Sequence, residues 1–252
     1  SNVKTSLLGD VVDLKYKADI DTVAELQNLA DAVAAVMSGA AGGAAPTLTQ
    51  WTALGIVGVN AGNLNKVNQA LAGTAANGND VDTIAELQTL ITNALTASTQ
   101  AVSVIQTYAL QNTAPAPAAP TGTAPTVSDY AQAGVTGVTL GNVSAINDAL
   151  ATAAITDTSV ATTAAIQQLV DAYLAIFTAA DGVDDLAAVN PLQAQYGNIG
   201  ISGVDSAVKT SLLGDAIDIK ASTDVDTITE IQTLAQSVLA VMNQANGMIG
   251  LT

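Results

Sequence analysis

The chain has no cysteine, no histidine and no arginine, and only one Phe, one Trp and three glutamates among its 252 residues. Each shortage excludes something. Without cysteine there are no disulfides, no thiolate nucleophile and no soft metal ligand. Without histidine as well, a serine or threonine nucleophile has only lysine or a carboxylate as its base. Six lysines (Lys4, Lys15, Lys17, Lys66, Lys209 and Lys220) stand against 22 acidic residues, giving a net charge of −16. Nucleic acid and anionic lipid need cations that release condensed counterions, so neither is expected as a partner. No apolar run reaches about 18 residues without a polar break, so no membrane insertion is expected. A carboxylate pair for glycoside chemistry would need a deep cleft that raises one pKa, which slender helices seldom build. No enzyme is expected, and no cofactor.

What is present is repetition. Residues 21–27 read DTVAELQ, 82–88 DTIAELQ and 226–232 DTITEIQ, with a fainter copy, ATTAAIQ, at 161–167. All three glutamates, Glu25, Glu86 and Glu230, fall three residues after Thr22, Thr83 and Thr227. That is a capping box. The threonine hydroxyl accepts from the backbone N–H three residues on, while the glutamate reaches back to the threonine N–H and sets its charge at the positive helix end. Apolar content is 49%, mostly alanine, which suits slim, closely approaching helices. The predicted fold is all-α: tandem three-helix-bundle repeats in an elongated array.

Upstream of each later capping box runs a second signature: an aromatic, three residues, Gly, Ile or Val, any residue, Gly, Val. It reads WTALGIVGV at 51–59, YAQAGVTGV at 130–138 and YGNIGISGV at 196–204. Residues 3–38 match 208–243 at a constant offset of 205, with 21 identities in 36 positions. Copy one thus reads as copy four without its first helix, and the chain is expected to be a slice of something longer. Each full repeat is predicted as three helices. Helix A carries the aromatic and stops at the first Gly, which is expected in the left-handed conformation. Helix B is NLNKVNQAL at 63–71 and NVSAINDAL at 142–150, whose apolar residues fall at i, i+3, i+7. Copy four has AVKTSLLGDAIDIK at 207–220 and lacks the Asn pair. Helix C follows the capping box, with Val23, Leu26, Leu29, Ala30, Val33, Val36 and Met37 on one face and, in copy two, a run from about Thr83 to Gln111.

The expected divisions are 1–45, a truncated repeat with helices B and C only; 46–113, a full repeat; 114–126, a Pro-rich linker; and full repeats at 127–188 and 189–252. The linker TAPAPAAPTGTAPT at 113–126 carries Pro115, Pro117, Pro120 and Pro125 and is expected to extend like polyproline and divide the chain into two arms. The repeats are expected to be largely independent of one another.

The aromatic before G-[IV]-x-G-V, the N-[LV]-x-x-[VI]-N helix and the D-T-x-x-E-[LI]-Q helix together resemble the Ala-rich helical repeats of large bacterial surface adhesins of the biofilm-associated type. That resemblance implies a non-catalytic repeat region, extracellular or at the cell surface, that extends or presents a binding region. It also implies further copies of the repeat in the parent chain and a protein or cell-surface partner. A second similarity, to albumin-binding three-helix modules, implies direct binding of a host or matrix protein. A surface-layer or filament subunit is a third reading.

Trp51 aligns with Tyr130 and Tyr196, which points to a buried helix A anchor before a ligand platform. Gly55, Gly58, Gly134, Gly137, Gly200 and Gly203 lack the Lys and strand context of a phosphate cradle and are read as turns. The only metal candidates are the B–C loop aspartates Asp215, Asp218, Asp224 and Asp226, repeated as Asp10, Asp13, Asp19 and Asp21 in copy one. Calcium, held weakly, is the ion they would suit.

Overall fold

The structure is a computed structural model, and it describes residues 2–75, 78–111, 122–183 and 190–249. Most of the Pro-rich segment, and residues 184–189 at the expected division between the last two repeats, lie outside these residues. The chain is all-helical: among the described residues there are eleven α-helices and no strand, with a single isolated bridge between Asp181 and Ala221. In chain order the helices are α1 (Asn2–Asp13), α2 (Val23–Ala40), α3 (Leu48–Ala53), α4 (Leu64–Ala72), α5 (Ile84–Gln111), α6 (Val127–Ala133), α7 (Val143–Leu150), α8 (Thr163–Ala179), α9 (Gln193–Asn198), α10 (Ala207–Asp218) and α11 (Ile228–Ile249). In repeat terms, α3, α6 and α9 are helix A; α1, α4, α7 and α10 are helix B; α2, α5, α8 and α11 are helix C.

The capping boxes start helix C as the sequence requires. Thr22 N donates to Glu25 at 2.9 Å and Glu25 N to the Thr22 hydroxyl at 3.3 Å. The same exchange joins Thr83 with Glu86 and Thr227 with Glu230. In the faint copy only the threonine half survives, with Ala165 N donating to Thr162. Each box contributes roughly 1 kcal/mol to starting its helix. Helix A has boxes of its own that the sequence reading overlooks, Thr47 with Gln50 and Thr126 with Asp129. The signal is a Pro-Thr pair three residues before Gln or Asp.

Helix A ends as predicted. Gly55, Gly134 and Gly200 follow it with φ of 79°, 83° and 85°. The residue after each donates to the carbonyl of the aromatic: Ile56 to Trp51, Val135 to Tyr130 and Ile201 to Tyr196, at 3.2, 2.9 and 2.9 Å. This six-residue closure is the reason the aromatic and the Ile or Val stand five apart. The second glycines, Gly58, Gly137 and Gly203, are left-handed as well, so the motif turns twice before helix B.

The chain forms two compact units, residues 1–100 and 101–252. The division falls inside α5, ahead of the Pro-rich segment where the boundary was expected. In the first unit Leu7, Val33, Trp51, Leu71, Leu87 and Ile91 belong to one buried cluster. In the second, the last turns of α5 supply Ile105 and Tyr108 to a cluster with Tyr130, Ile146, Tyr173 and Tyr196. Packing crosses repeat boundaries in both: α2 of copy one lies on α3 and α4 of copy two, and α8 of copy three lies on α9 and α10 of copy four. Copies one and two share the first core, and copies three and four share the second with the end of copy two's α5, where the repeats were expected to be largely independent. A fully buried Leu or Ile contributes roughly 1.5–3 kcal/mol, and a single alanine-rich repeat has few of them.

Candidate functional site

Three polar devices recur on this framework, each built from residues of the repeat motif. The first is a clamp. Gln88, the last letter of DTIAELQ, accepts from Val57 N at 3.1 Å and donates to Val57 O at 3.1 Å. Gln167 does the same to Thr136, at 2.8 and 3.1 Å, and Gln232 to Ser202, at 3.0 and 3.2 Å. In every case the partner is the variable residue between the two left-handed glycines. A primary amide offers one acceptor and two donors, so one glutamine satisfies both backbone groups of a residue that no helix or sheet serves.

The second is a lock around the aromatic. Trp51 Nε1 donates to Asn68 Oδ1 at 3.1 Å, and Asn68 Nδ2 donates to the Pro46 carbonyl at 3.0 Å. Tyr130 Oη donates to Asn147 Oδ1 at 2.7 Å, and Asn147 Nδ2 to the Pro125 carbonyl at 2.8 Å. Helix B thus holds the aromatic of helix A and the residue ahead of its N-cap through its second motif Asn, while the first, Asn63 or Asn142, donates to the carbonyl of the second glycine. Copy four departs from the pattern. Gly214 stands where Asn is expected, Asn190 fills the space beside it and donates to Asp215 at 2.9 Å, and the buried Tyr196 hydroxyl has no hydrogen-bond partner among the described residues.

A buried hydroxyl without a partner costs stability, whereas a bonded one contributes roughly 1 kcal/mol. Tyr130→Phe is therefore expected to lower the stability of the second unit by about 1–2 kcal/mol, because it strands Asn147 Oδ1. Tyr196→Phe should leave it unchanged or raise it. Denaturant unfolding of the two variants checks this: equal losses would mean that Tyr196 is bonded after all.

The third device joins consecutive repeats. Ile84 N, in the first turn of α5, donates to Asp10 of α1 at 2.6 Å, and Ile228 N, in the first turn of α11, donates to Asp148 of α7 at 2.7 Å. A carboxylate at a helix start answers an orphan N–H and the positive end of the helix at once. Tyr173 Oη also donates to the Val225 carbonyl, tying copy three to copy four at 3.2 Å.

The electrostatics follow from this geometry. Glu25 and Glu86 are held below the ordinary carboxylate value, chiefly by the threonine hydroxyls they face. Asp82 is raised, mainly because it shares a hydrogen bond with Glu86. Asp226 is raised by desolvation and by Glu230. Burial pushes the phenols of Tyr130, Tyr173 and Tyr196 well above their ordinary value. For an acid buried in its neutral form, the stabilisation is full below the unfolded pKa of about 10 and is lost as pH rises toward the folded one. Helix content is expected to fall in an alkaline transition that begins above about pH 10 and runs with delayed tyrosinate absorbance. Ordinary phenol titration with the helices intact would contradict that.

The metal candidates do not gather into one cation site among the described residues. Asp215 is bonded by Asn190, Asp224 accepts from Ala221 N, Asp218 is buried in α10 and Asp226 precedes the capping box of α11. Among the described residues no three acidic groups come together as a cation site. The spacing Ser-x-x-Lys, which the sequence reading overlooks, occurs at Ser1–Lys4, where Ser1 lies outside the described residues, and at Ser206–Lys209, where Ser206 caps α10 and Lys209 Nζ pairs with Asp205 at 2.8 Å. A cleft of about 170 Å³ beside α8 and α9 is lined by residues such as Ile155, Ser159, Gln168 and Asn198, with no ionisable side chain. No described helix is long and apolar enough to cross a membrane.

What the fold and these devices define is an all-helical repeat protein. Comparison with family models, with curated proteins and with solved structures gives no match.

Proposed function

We propose that the chain is a non-catalytic structural repeat region of a bacterial surface or secreted adhesin, in which tandem three-helix repeats form an extended array that presents a binding region. The observation that carries this reading is the glutamine clamp, repeated three times on the same turn position. Three of the four motif glutamines hold turn backbone, the asparagines bridge the helix A aromatic and a proline carbonyl, and threonine and glutamate pair at helix starts, so these repeated polar residues serve the fold of the repeat. Copy number then sets reach and valency.

The test places the chain between a cell-surface anchor and a known binding domain. Insertion should raise capture of cell-sized particles bearing the ligand, and the chain without that domain should capture none. Capture of albumin- or matrix-coated particles by the chain alone would establish direct binding in its place.

A further inference from the structure

The start of α11, where copy three meets copy four, faces carboxylates and phenols. Asp148 of α7 accepts from Ile228 N at 2.7 Å, and Glu230 accepts from Thr227 N and the Thr227 hydroxyl at 3.0 and 2.8 Å. Asp226, the residue before Thr227, shares a hydrogen bond with Glu230. Asp224 adds a fourth negative charge from the turn ahead of the helix. Tyr173 of α8 lies in the field of Asp148, Asp226 and Glu230, and Tyr108 of α5 lines a cavity of about 250 Å³ together with Asp148 and Asp226. No lysine is among these groups, and the carboxylates do not gather closely enough to hold a cation. Asp148 and Glu230 each serve a backbone N–H as anions, whereas no backbone N–H of another residue is bonded to Asp226 among the described residues. Asp226 is therefore the one carboxylate here that can take a proton while the others keep their bonds. The arrangement recurs in the first unit, where Asp10 of α1 accepts from Ile84 N at 2.6 Å and Asp82 shares a hydrogen bond with Glu86.

We infer that the junction between copies three and four is strengthened by mild acid: Asp226 takes up a proton from solvent and donates a hydrogen bond to Glu230, which relieves the repulsion among Asp148, Asp224, Asp226 and Glu230. Desolvation, then Glu230, Asp148 and Asp224, hold the Asp226 carboxyl above its ordinary value. An acid raised on folding stabilises the fold in its protonated form, so the gain begins as pH falls through the raised value and is complete below the unfolded value of about 3.9. At neutral pH all four groups are ionised and the junction is at its weakest. The inference stands on the geometry of the junction and does not depend on the adhesive role.

Urea unfolding of the full chain, read from the backbone resonances of Ile228 and Ile231, tests this at about pH 7 and about pH 4.5. The midpoint should be higher at the lower pH. Asp226→Asn removes the charge and keeps a donor for Glu230, so it should raise the midpoint at neutral pH and shrink the rise on acidification. Asp148→Asn should shrink the rise as well, because it removes one of the charges that repel Asp226. Asp157→Asn removes a carboxylate that does not act on Asp226 and should keep the rise of the parent, which separates the junction from the general relief of a net charge of −16. An equal rise in the parent and in Asp226→Asn, or a lower midpoint for Asp226→Asn at neutral pH, would overturn the proposal. So would a rise that Asp157→Asn diminishes as much as Asp226→Asn does.

Discussion

Asn147→Ala is expected to destabilise the second unit by about 2–4 kcal/mol, because it strands two buried groups at once. Asn147 is 8% exposed and Tyr130 is fully buried. Its amide oxygen accepts from the Tyr130 hydroxyl at 2.7 Å while its nitrogen donates to the Pro125 carbonyl at 2.8 Å. Removing the amide leaves a donor and an acceptor without partners and opens a small void between α6 and α7, and each unsatisfied group alone costs about 1–3 kcal/mol. The corresponding change in the first unit, Asn68→Ala, should cost less, since Asn68 is only half-buried and water can replace it. Denaturant unfolding followed by circular dichroism measures both. A loss below about 0.5 kcal/mol for Asn147→Ala, the size of an ordinary surface substitution, would show that the lock holds nothing.

The second large effect is expected at Asp148. Asp148→Ala should cost about 2 kcal/mol, the range for a hydrogen bond to a charged group together with the helix-end interaction. Part of the loss is offset, because Asp148 also raises the pKa of Asp226 by repulsion. Asp148→Asn separates the two effects: it keeps an oxygen for Ile228 N and removes the repulsion, so most of the stability should remain. The comparison within the chain is Gln69, at the equivalent position of copy two and exposed. Gln69→Ala should stay within about 0.5 kcal/mol of the parent. Equal losses at Asp148 and Gln69 would mean that the contact with α11 contributes nothing particular.

Local features were legible in the sequence and longer-range ones were not, for physical reasons visible at particular residues. Thr22 and Glu25 are three apart, so their cap needs no knowledge of the fold. Gly55 and Gly134 follow an aromatic helix at a fixed distance, and their left-handed conformation is equally local. The place of Trp51, Tyr130 and Tyr196 in the core could be read from their alignment with one another. The partners of Gln88 and Asp148 lie 31 and 80 residues away, and nothing in the spacing of a motif specifies which distant backbone group it serves. The one available signal for the clamp was that glutamine ends all four helix C openings, Gln27 included, although an exposed helix position tolerates many residues. Val23 and Leu26 were placed on the apolar face because their period fits it. They are exposed because period assigns a face to a helix without supplying the segment that covers it.

The boundary between units was misplaced for a related reason. Prolines mark where a helix cannot continue, which is not the same as where one compact unit ends. The two compact units divide earlier, inside α5, whose last turns carry Ile105 and Tyr108 into the core of the second unit. A helix of 28 residues is long enough for its two ends to serve different cores.

Amide hydrogen exchange at five positions tests the central claim, that the repeated polar residues satisfy backbone groups within a repeat, through the glutamines, and between repeats, through the aspartates. Val57, Thr136 and Ser202 sit in turns, and Ile84 and Ile228 sit in first turns of helices, where a backbone N–H has no partner of its own. The glutamine clamps and the aspartates Asp10 and Asp148 give each of them one. All five amides should exchange slowly, and Ile228 alone should become fast in Asp148→Ala. Exchange at unstructured-chain rates at these five positions, with the surrounding helices protected, would contradict the account.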